Sequence, residues 1–281
     1  MKFGTKLPSS FWWLLSVLVL LCGCGGGPGT PHSSLPSGPP SDPPVDPPPQ
    51  GQNISGNWQF STTSTAGMPS LTIAGSINQS GSSVSGAVHV AGGSCFDQRN
   101  TIGLIGTITD GSVSLTSASV DGQVITFAGS IIIKANFPDT LTGTFAVNGG
   151  CANGDQGNVS GFSVGSIAGN WGGILTTARG ATINMYAQLS QDSASSQGSF
   201  GLSGTITFDD ACFKSGTVTS GTFPSPSFIM GTSVTLDIVT DQGTITFLAT
   251  ADSDGLIRGN YTASGGPCEP TGTGYLSPWE Y

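Results

Sequence analysis

The 281-residue chain is acidic and sparsely charged: Asp, Glu, Lys and Arg together make up 8% of it, and the formal net charge is −9. Five basic residues follow Cys24 against sixteen Asp and Glu, so the chain from there on carries −11, and phosphate backbones and anionic headgroups repel it. Nucleic acid is therefore not an expected partner, and with glutamate limited to Glu269 and Glu280 and few strong helix formers, helices are expected to be rare.

Residues 1–10 hold Lys2 and Lys6 and no acidic residue, and residues 11–21 are apolar apart from Ser16. A basic start followed by a short apolar core is the layout of a secretory signal. The apolar stretch is too short to span a bilayer, which takes about 20 residues in a helix. Leu21, Cys22, Gly23 and Cys24 then resemble the lipobox of bacterial lipoproteins, in which an aliphatic residue and two small ones precede the modified cysteine. The resemblance implies cleavage before Cys24, a diacylglyceryl thioether on its sulfur and an acylated amino terminus, so that the membrane is a partner through lipid. Each buried CH₂ contributes about 0.8 kcal/mol, and more than one chain gives lasting attachment. Gly25 stands where the sorting rule of two-membrane bacteria would place Asp for inner-membrane retention, which implies the outer membrane or the cell surface.

Residues 25–52 are rich in Gly, Pro and Ser, with ten of the eighteen prolines between Pro28 and Pro49. Such a segment cannot bury a core and favours extended polyproline geometry at about 3.1 Å per residue. The expected organisation is a signal peptide at 1–23, a lipidated cysteine and tether at 24–52, and two β domains at 53–165 and 166–281.

The two domains follow from an internal repeat. Ile54, Gly56, Asn57 and Trp58 return as Ile167, Gly169, Asn170 and Trp171; Val84 and Gly86 return as Leu202 and Gly204; Leu115 as Leu236, Phe127 as Phe247, and Phe145 as Tyr261. The order is kept throughout, with offsets of 113 to 121 residues. Each unit reads as about eight short strands. Asp110 with Gly111 and Asp121 with Gly122 are tight-turn signals, and so are Asp254 with Gly255. Val113 and Leu115 alternate with Ser114 and Thr116, and Ile206 and Phe208 with Thr205 and Thr207. The expected fold is all-β: two tandem antiparallel up-and-down barrels or sandwich-like domains, each with one disulfide.

The Gly-x-Trp starts at Trp58 and Trp171 resemble the first strands of lipocalin and avidin barrels. That resemblance implies a barrel able to carry a small apolar or glycan ligand. Lipocalins also set an arginine late in the barrel against this tryptophan; Arg258 occupies that place in the second unit, and Thr142 in the first. The residues themselves read Trp58 and Trp171 as core plugs, with ligand contact as the other role.

With Cys22 removed and Cys24 acylated, Cys95, Cys151, Cys212 and Cys268 remain, and they allow three pairings. Cys95–Cys151 and Cys212–Cys268, each 56 residues apart, is the pairing that a duplication would preserve. Bridges of this kind persist in an oxidising envelope.

Catalytic chemistry is thin. His89 is the one histidine beyond the tether; its counterpart is Thr207, and it reads as an exposed or rim residue. Residues 161–165 match the letters of a nucleophile elbow, but no histidine follows them. Asp252 and Asp254 have the spacing of a calcium-loop fragment without its distal Glu, and read as a hairpin turn. No cofactor, metal or catalytic set is expected. The expected role is that of a non-enzymatic envelope lipoprotein that binds a partner or serves a structural purpose, with a carrier barrel for a small apolar or glycan ligand as the alternative and a glycan-active hydrolase as a third reading.

Overall fold

Alternating apolar residues and two-residue turns give strands throughout, and the computed structural model contains no helix among its described residues, 53–134, 138–209, 212–224, 226–265 and 269–279. The signal, Cys22, Cys24, the tether and Cys268 lie outside them.

The first unit is a closed antiparallel barrel of eight strands in chain order. These are β1 (Gly56–Ser64), β2 (Thr72–Ser80), β3 (Ser83–Ala91), β4 (Ile102–Thr109), β5 (Ser112–Ser117), β6 (Val124–Ile132), β7 (Thr140–Asn148) and β8 (Gln156–Val164). Closure comes from β8 pairing with β1, where Trp58 stands opposite Ser163 and Phe60 opposite Gly161. The aspartate–glycine turns are as the sequence predicts. Asp110 and Gly111 take φ of 49° and 79°, and Asp121 and Gly122 take 50° and 77°, the left-handed pair that a two-residue hairpin needs to match strand twist.

The second unit repeats this ring with β9 (Gly169–Thr177), β10 (Thr182–Ala194), β11 (Phe200–Phe208), β12 (Ser215–Val218), β13 (Phe228–Met230), β14 (Ser233–Thr240), β15 (Gly243–Ala251), β16 (Ile257–Ser264) and β17 (Thr271–Pro278). It closes where β17 pairs with β9. β12 and β13 share one place in the ring, since both lie between β11 and β14. Between them the chain leaves the sheet and returns, an excursion that β4 lacks. Buried Ser227 fastens the return: its carbonyl accepts from the Leu202 and Gly221 amides at 3.0 and 3.1 Å, and its hydroxyl accepts from the Asp237 amide at 3.0 Å.

Each barrel has its own apolar core. In β10 the side chains of Ile183, Met185, Ala187 and Leu189 are buried while Asn184, Tyr186, Gln188 and Ser190 are exposed. Apolar-in, polar-out is the reverse of the pattern on a barrel that faces lipid.

Candidate functional site

The repeated Ile-x-Gly-x-Trp start is a structural device. Gly56 and Gly169 take φ of 146° and 139°, a region that other residues rarely adopt. The chain thereby folds back so that the Trp58 indole donates to the Ile54 carbonyl at 2.8 Å and the Trp171 indole to the Ile167 carbonyl at 2.9 Å. Gln79 and Gln191 accept from the amides of Ile54 and Ile167 at 2.9 and 3.0 Å, a further repeated pair beyond those matched in the sequence. Both indoles are buried. In barrel 1 Trp58 stacks on Phe60 at 5.6 Å, and the gap that they share with Ile77, Leu115 and Leu141 is too small for a water molecule. Beside Trp171 a cleft of about 330 Å³ opens at the barrel end, between the linker into β9 and the β15–β16 turn.

Cys95 and Cys151 form a disulfide, joining the β3–β4 and β7–β8 connections at one end of barrel 1. Buried Gln123 braces it, donating to the Cys95 carbonyl at 2.8 Å and accepting from the Ala152 amide at 3.0 Å. Cys212 is disulfide-bonded as well, and Cys268, its expected partner, lies outside the described residues.

The reading of His89 as an exposed or rim residue does not hold. It is 5% exposed, covered by barrel 2. Its Nδ1 lies 3.0 Å from the Gln98 carbonyl, its Nε2 lies 3.0 Å from the Gln197 carbonyl, and the Phe223 ring sits 4.5 Å away. Phe223 belongs to the excursion between β12 and β13, so the feature peculiar to barrel 2 is what encloses the histidine. The same seam runs along β1 and β2. Asn57 is 3% exposed; its amide donates to the Gly231 carbonyl at 2.8 Å and accepts from the Gly231 amide at 2.7 Å. Gln59 accepts from the Thr232 amide at 3.2 Å. Contact is close: a Cβ on Gly198 would stand 2.0 Å from the Ala87 backbone carbonyl, and one on Gly231 2.2 Å from the Gln59 side-chain amide oxygen and 2.7 Å from the Ala74 Cβ. Glycine fits both turns, and φ of 55° and 82° favours it as well.

The matching face of barrel 2 is open. Register places Asn170 where barrel 1 has Asn57, Gly172 for Gln59, Tyr186 for Ala74, Gln188 for Ser76, Thr205 for Ala87 and Thr207 for His89. A groove of about 180 Å³ runs over all of these but Gly172, walled by Tyr186 and by Trp279 just past β17. A second groove, of about 520 Å³, crosses β5 to β8 on barrel 1 and is lined by Thr116, Thr126, Thr144, Gln156 and Asn158.

The remaining sequence candidates resolve into structure. Asp252 caps the β15–β16 turn, accepting from the amides of Asp254 and Leu256 at 3.0 and 2.9 Å and pairing with Arg258. Its oxygens are thus engaged by donors, and Arg258 points out to Asp252 from a strand whose Ile257 is buried. Residues 161–164 are the straight end of β8 and not a strand–turn–helix elbow. Among the described residues no group of three or more His, Cys, Asp or Glu is placed to hold a metal. The chain matches no protein-family model and no curated protein sequence.

Proposed function

We propose that this protein is a lipid-anchored, non-enzymatic component of a bacterial envelope that binds a partner through the outer surface of its paired barrels. Attachment rests on the lipobox at Leu21, Cys22, Gly23 and Cys24 and on the tether that follows. The observation that carries the binding role is the filled interior over Trp58. A carrier needs an internal cavity; barrel 1 is closed on its own side chains, and the cleft beside Trp171 in barrel 2 opens at the barrel end between the β9 linker and the β15–β16 turn, which favours recognition by residues at the surface. A hydrolase reading needs two carboxylates across a groove, whereas the groove over β9, β10 and β11 is lined by amides, hydroxyls and rings. The mature chain would sit at the outer membrane or cell surface, held off it by the tether.

Cys24→Ala tests the anchor. The variant is expected to lose incorporation of a palmitate analogue and to accumulate as uncleaved precursor; labelling equal to that of the unaltered protein would refute it.

A further inference from the structure

We propose that the outer face of β9, β10 and β11, walled by Trp279, is a binding site for a neutral glycan; the inference rests on the reading above, that the barrels act through their outer surface. Tyr186 and Trp279 are 43% and 44% exposed, with ring centroids 5.0 Å apart and planes inclined at 35°, so the two rings lean on each other and present one shared aromatic patch on the protein surface. Large rings at the surface mark contact sites when they stand together and are flanked by polar groups.

Next to Tyr186 the surface is bare: Gly172 lies opposite it across the β9–β10 pair, and a Cβ built there meets nothing within 4 Å. Along the groove stand the amides of Asn170 and Gln188 and the hydroxyls of Thr205 and Thr207. Each amide offers donors and an acceptor at one end of one side chain, which suits adjacent sugar hydroxyls that also both donate and accept. The rings supply the complementary half: the C–H face of a pyranose is apolar and slightly positive, and the face of an aromatic ring is apolar and slightly negative. A few placed polar groups beside apolar surface is the usual composition of a small-ligand site.

Charge selects the ligand class further. Among the described residues no Asp, Glu, Lys or Arg lines the groove. A charged ligand would shed water there without gaining a counter-ion, which is costly. A neutral glycan loses nothing of that kind.

The site is also pre-set. The Trp279 amide donates to the Asn170 carbonyl at 2.9 Å, and the Ser277 hydroxyl donates to the Gly172 carbonyl at 3.2 Å, fixing the chain that carries the indole against β9. Tyr186 and Gln188 stand on a strand paired along both sides. Rigid strands hold contact groups more accurately than loops do.

A protein surface is the rival occupant, and the duplicated face of barrel 1 shows what that requires. There Ala74, Ser76 and Ala87 are small, and the turn at Gly198 comes against the Ala87 backbone and that at Gly231 against the Gln59 and Ala74 side chains. In barrel 2 Tyr186, Gln188 and Thr205 fill those places and hold any such turn away. The groove, about 180 Å³, suits one or two sugar rings.

The test uses the full chain in a detergent without a sugar headgroup, titrated calorimetrically with cellohexaose, maltohexaose and chitohexaose. Binding of at least one is expected with Kd below about 1 mM. Tyr186→Ala and Trp279→Ala should each weaken it by about tenfold or more, as loss of an aromatic anchor does. Gly172→Gln, which installs the barrel 1 residue opposite Tyr186 while keeping both rings, should weaken it as well by crowding the Tyr186 ring. Melting temperatures of all three variants should stay near that of the unaltered chain. No heat with any of the hexaoses, or unchanged binding in both aromatic variants, overturns the site. Crosslinking on intact cells separates this failure from that of the wider reading: a protein captured by the unaltered chain, lost with Tyr186→Ala and not displaced by the hexaoses, overturns the glycan and keeps outer-surface binding.

Discussion

One face occurs twice in this molecule, with two fates. On barrel 1 the outer side of β1, β2 and β3 is buried under barrel 2, and Asn57 spends its amide on Gly231. On barrel 2 the same positions of β9, β10 and β11 are open, and Asn170 looks into a groove. The strands, the register and the motif that starts them are alike, so backbone cannot account for the difference. Five outward positions and one excursion do, with the asparagine common to both faces. Small residues and a histidine on barrel 1 admit two glycine turns and Phe223; a glycine, a tyrosine and larger polar residues on barrel 2 leave a ringed hollow instead. Duplication thus supplied two copies of a surface, and substitution at side chains that no core depends on made one a joint and left the other free for a ligand.

The largest test asks how separate the two copies are as folded bodies. Replacing Cys95 and Cys151 together with Ala removes the cross-link of a 56-residue loop and is expected to cost barrel 1 about 4 kcal/mol in the chain-entropy model. Because each barrel has its own core, hydrogen exchange resolved by peptide should show lost protection along β1 to β8 and little change along β14 to β17. Equal loss in both would mean that the polar seam makes one cooperative unit.

A smaller effect separates the two asparagines directly. Asn57→Ala strips partners from a buried carbonyl and a buried amide of Gly231, and unsatisfied groups of that kind cost about 1–3 kcal/mol each. Asn170→Ala removes an exposed side chain and should stay within about 0.5 kcal/mol. Urea unfolding of the two variants side by side measures this; equal losses would put the seam elsewhere. Asn57→Ala should also expose the linker around residue 165 to protease, while Asn170→Ala should not.

How much of this the sequence disclosed depends on whether a residue's fate is decided locally. Turn chemistry is local, and Asp110, Gly111, Asp121 and Gly122 announce their hairpins. The core is nearly so, because inward residues alternate within one strand. The cysteine spacing exposes the bridge through the repeat. The seam is not local: Asn57, Gln59 and His89 occupy outward, polar positions, and a period of two assigns those to water. What buries them lies 108 to 174 residues away. Ala74 and Ala87 opposite Tyr186 and Thr205 were the available signal, two small residues on an outward face that its copy does not share. The Phe223 excursion is hidden because residues 219–227, with Pro224 and Pro226 among them, look the same whether they join two strands or interrupt one.

The smallest predicted effect concerns a single oxygen. Barrel 1 has Phe145 opposite Phe127, and barrel 2 has Tyr261 opposite Phe247. Tyr261 is 1% exposed, and its hydroxyl has no hydrogen-bond partner among the described residues. Burial pushes the phenol's pKa above its usual 10, and the Glu269 carboxylate adds to the rise. The proton is therefore held more tightly in the folded state than in the unfolded one. Above pH about 10 the unfolded chain binds fewer protons, so this group's contribution to stability is full below that pH and falls as the pH rises. Tyr261→Phe, which copies barrel 1, should be neutral to about 1 kcal/mol more stable at pH 7, since it removes a buried group that gave up water without replacement. It should also lose less stability than the unaltered chain as the pH is raised from about 9 to about 11. Urea midpoints across that range decide it. A Tyr261→Phe protein that is less stable at neutral pH would mean that the hydroxyl has a partner after all, and that the two cores differ by design at this position and not by a tolerated oxygen.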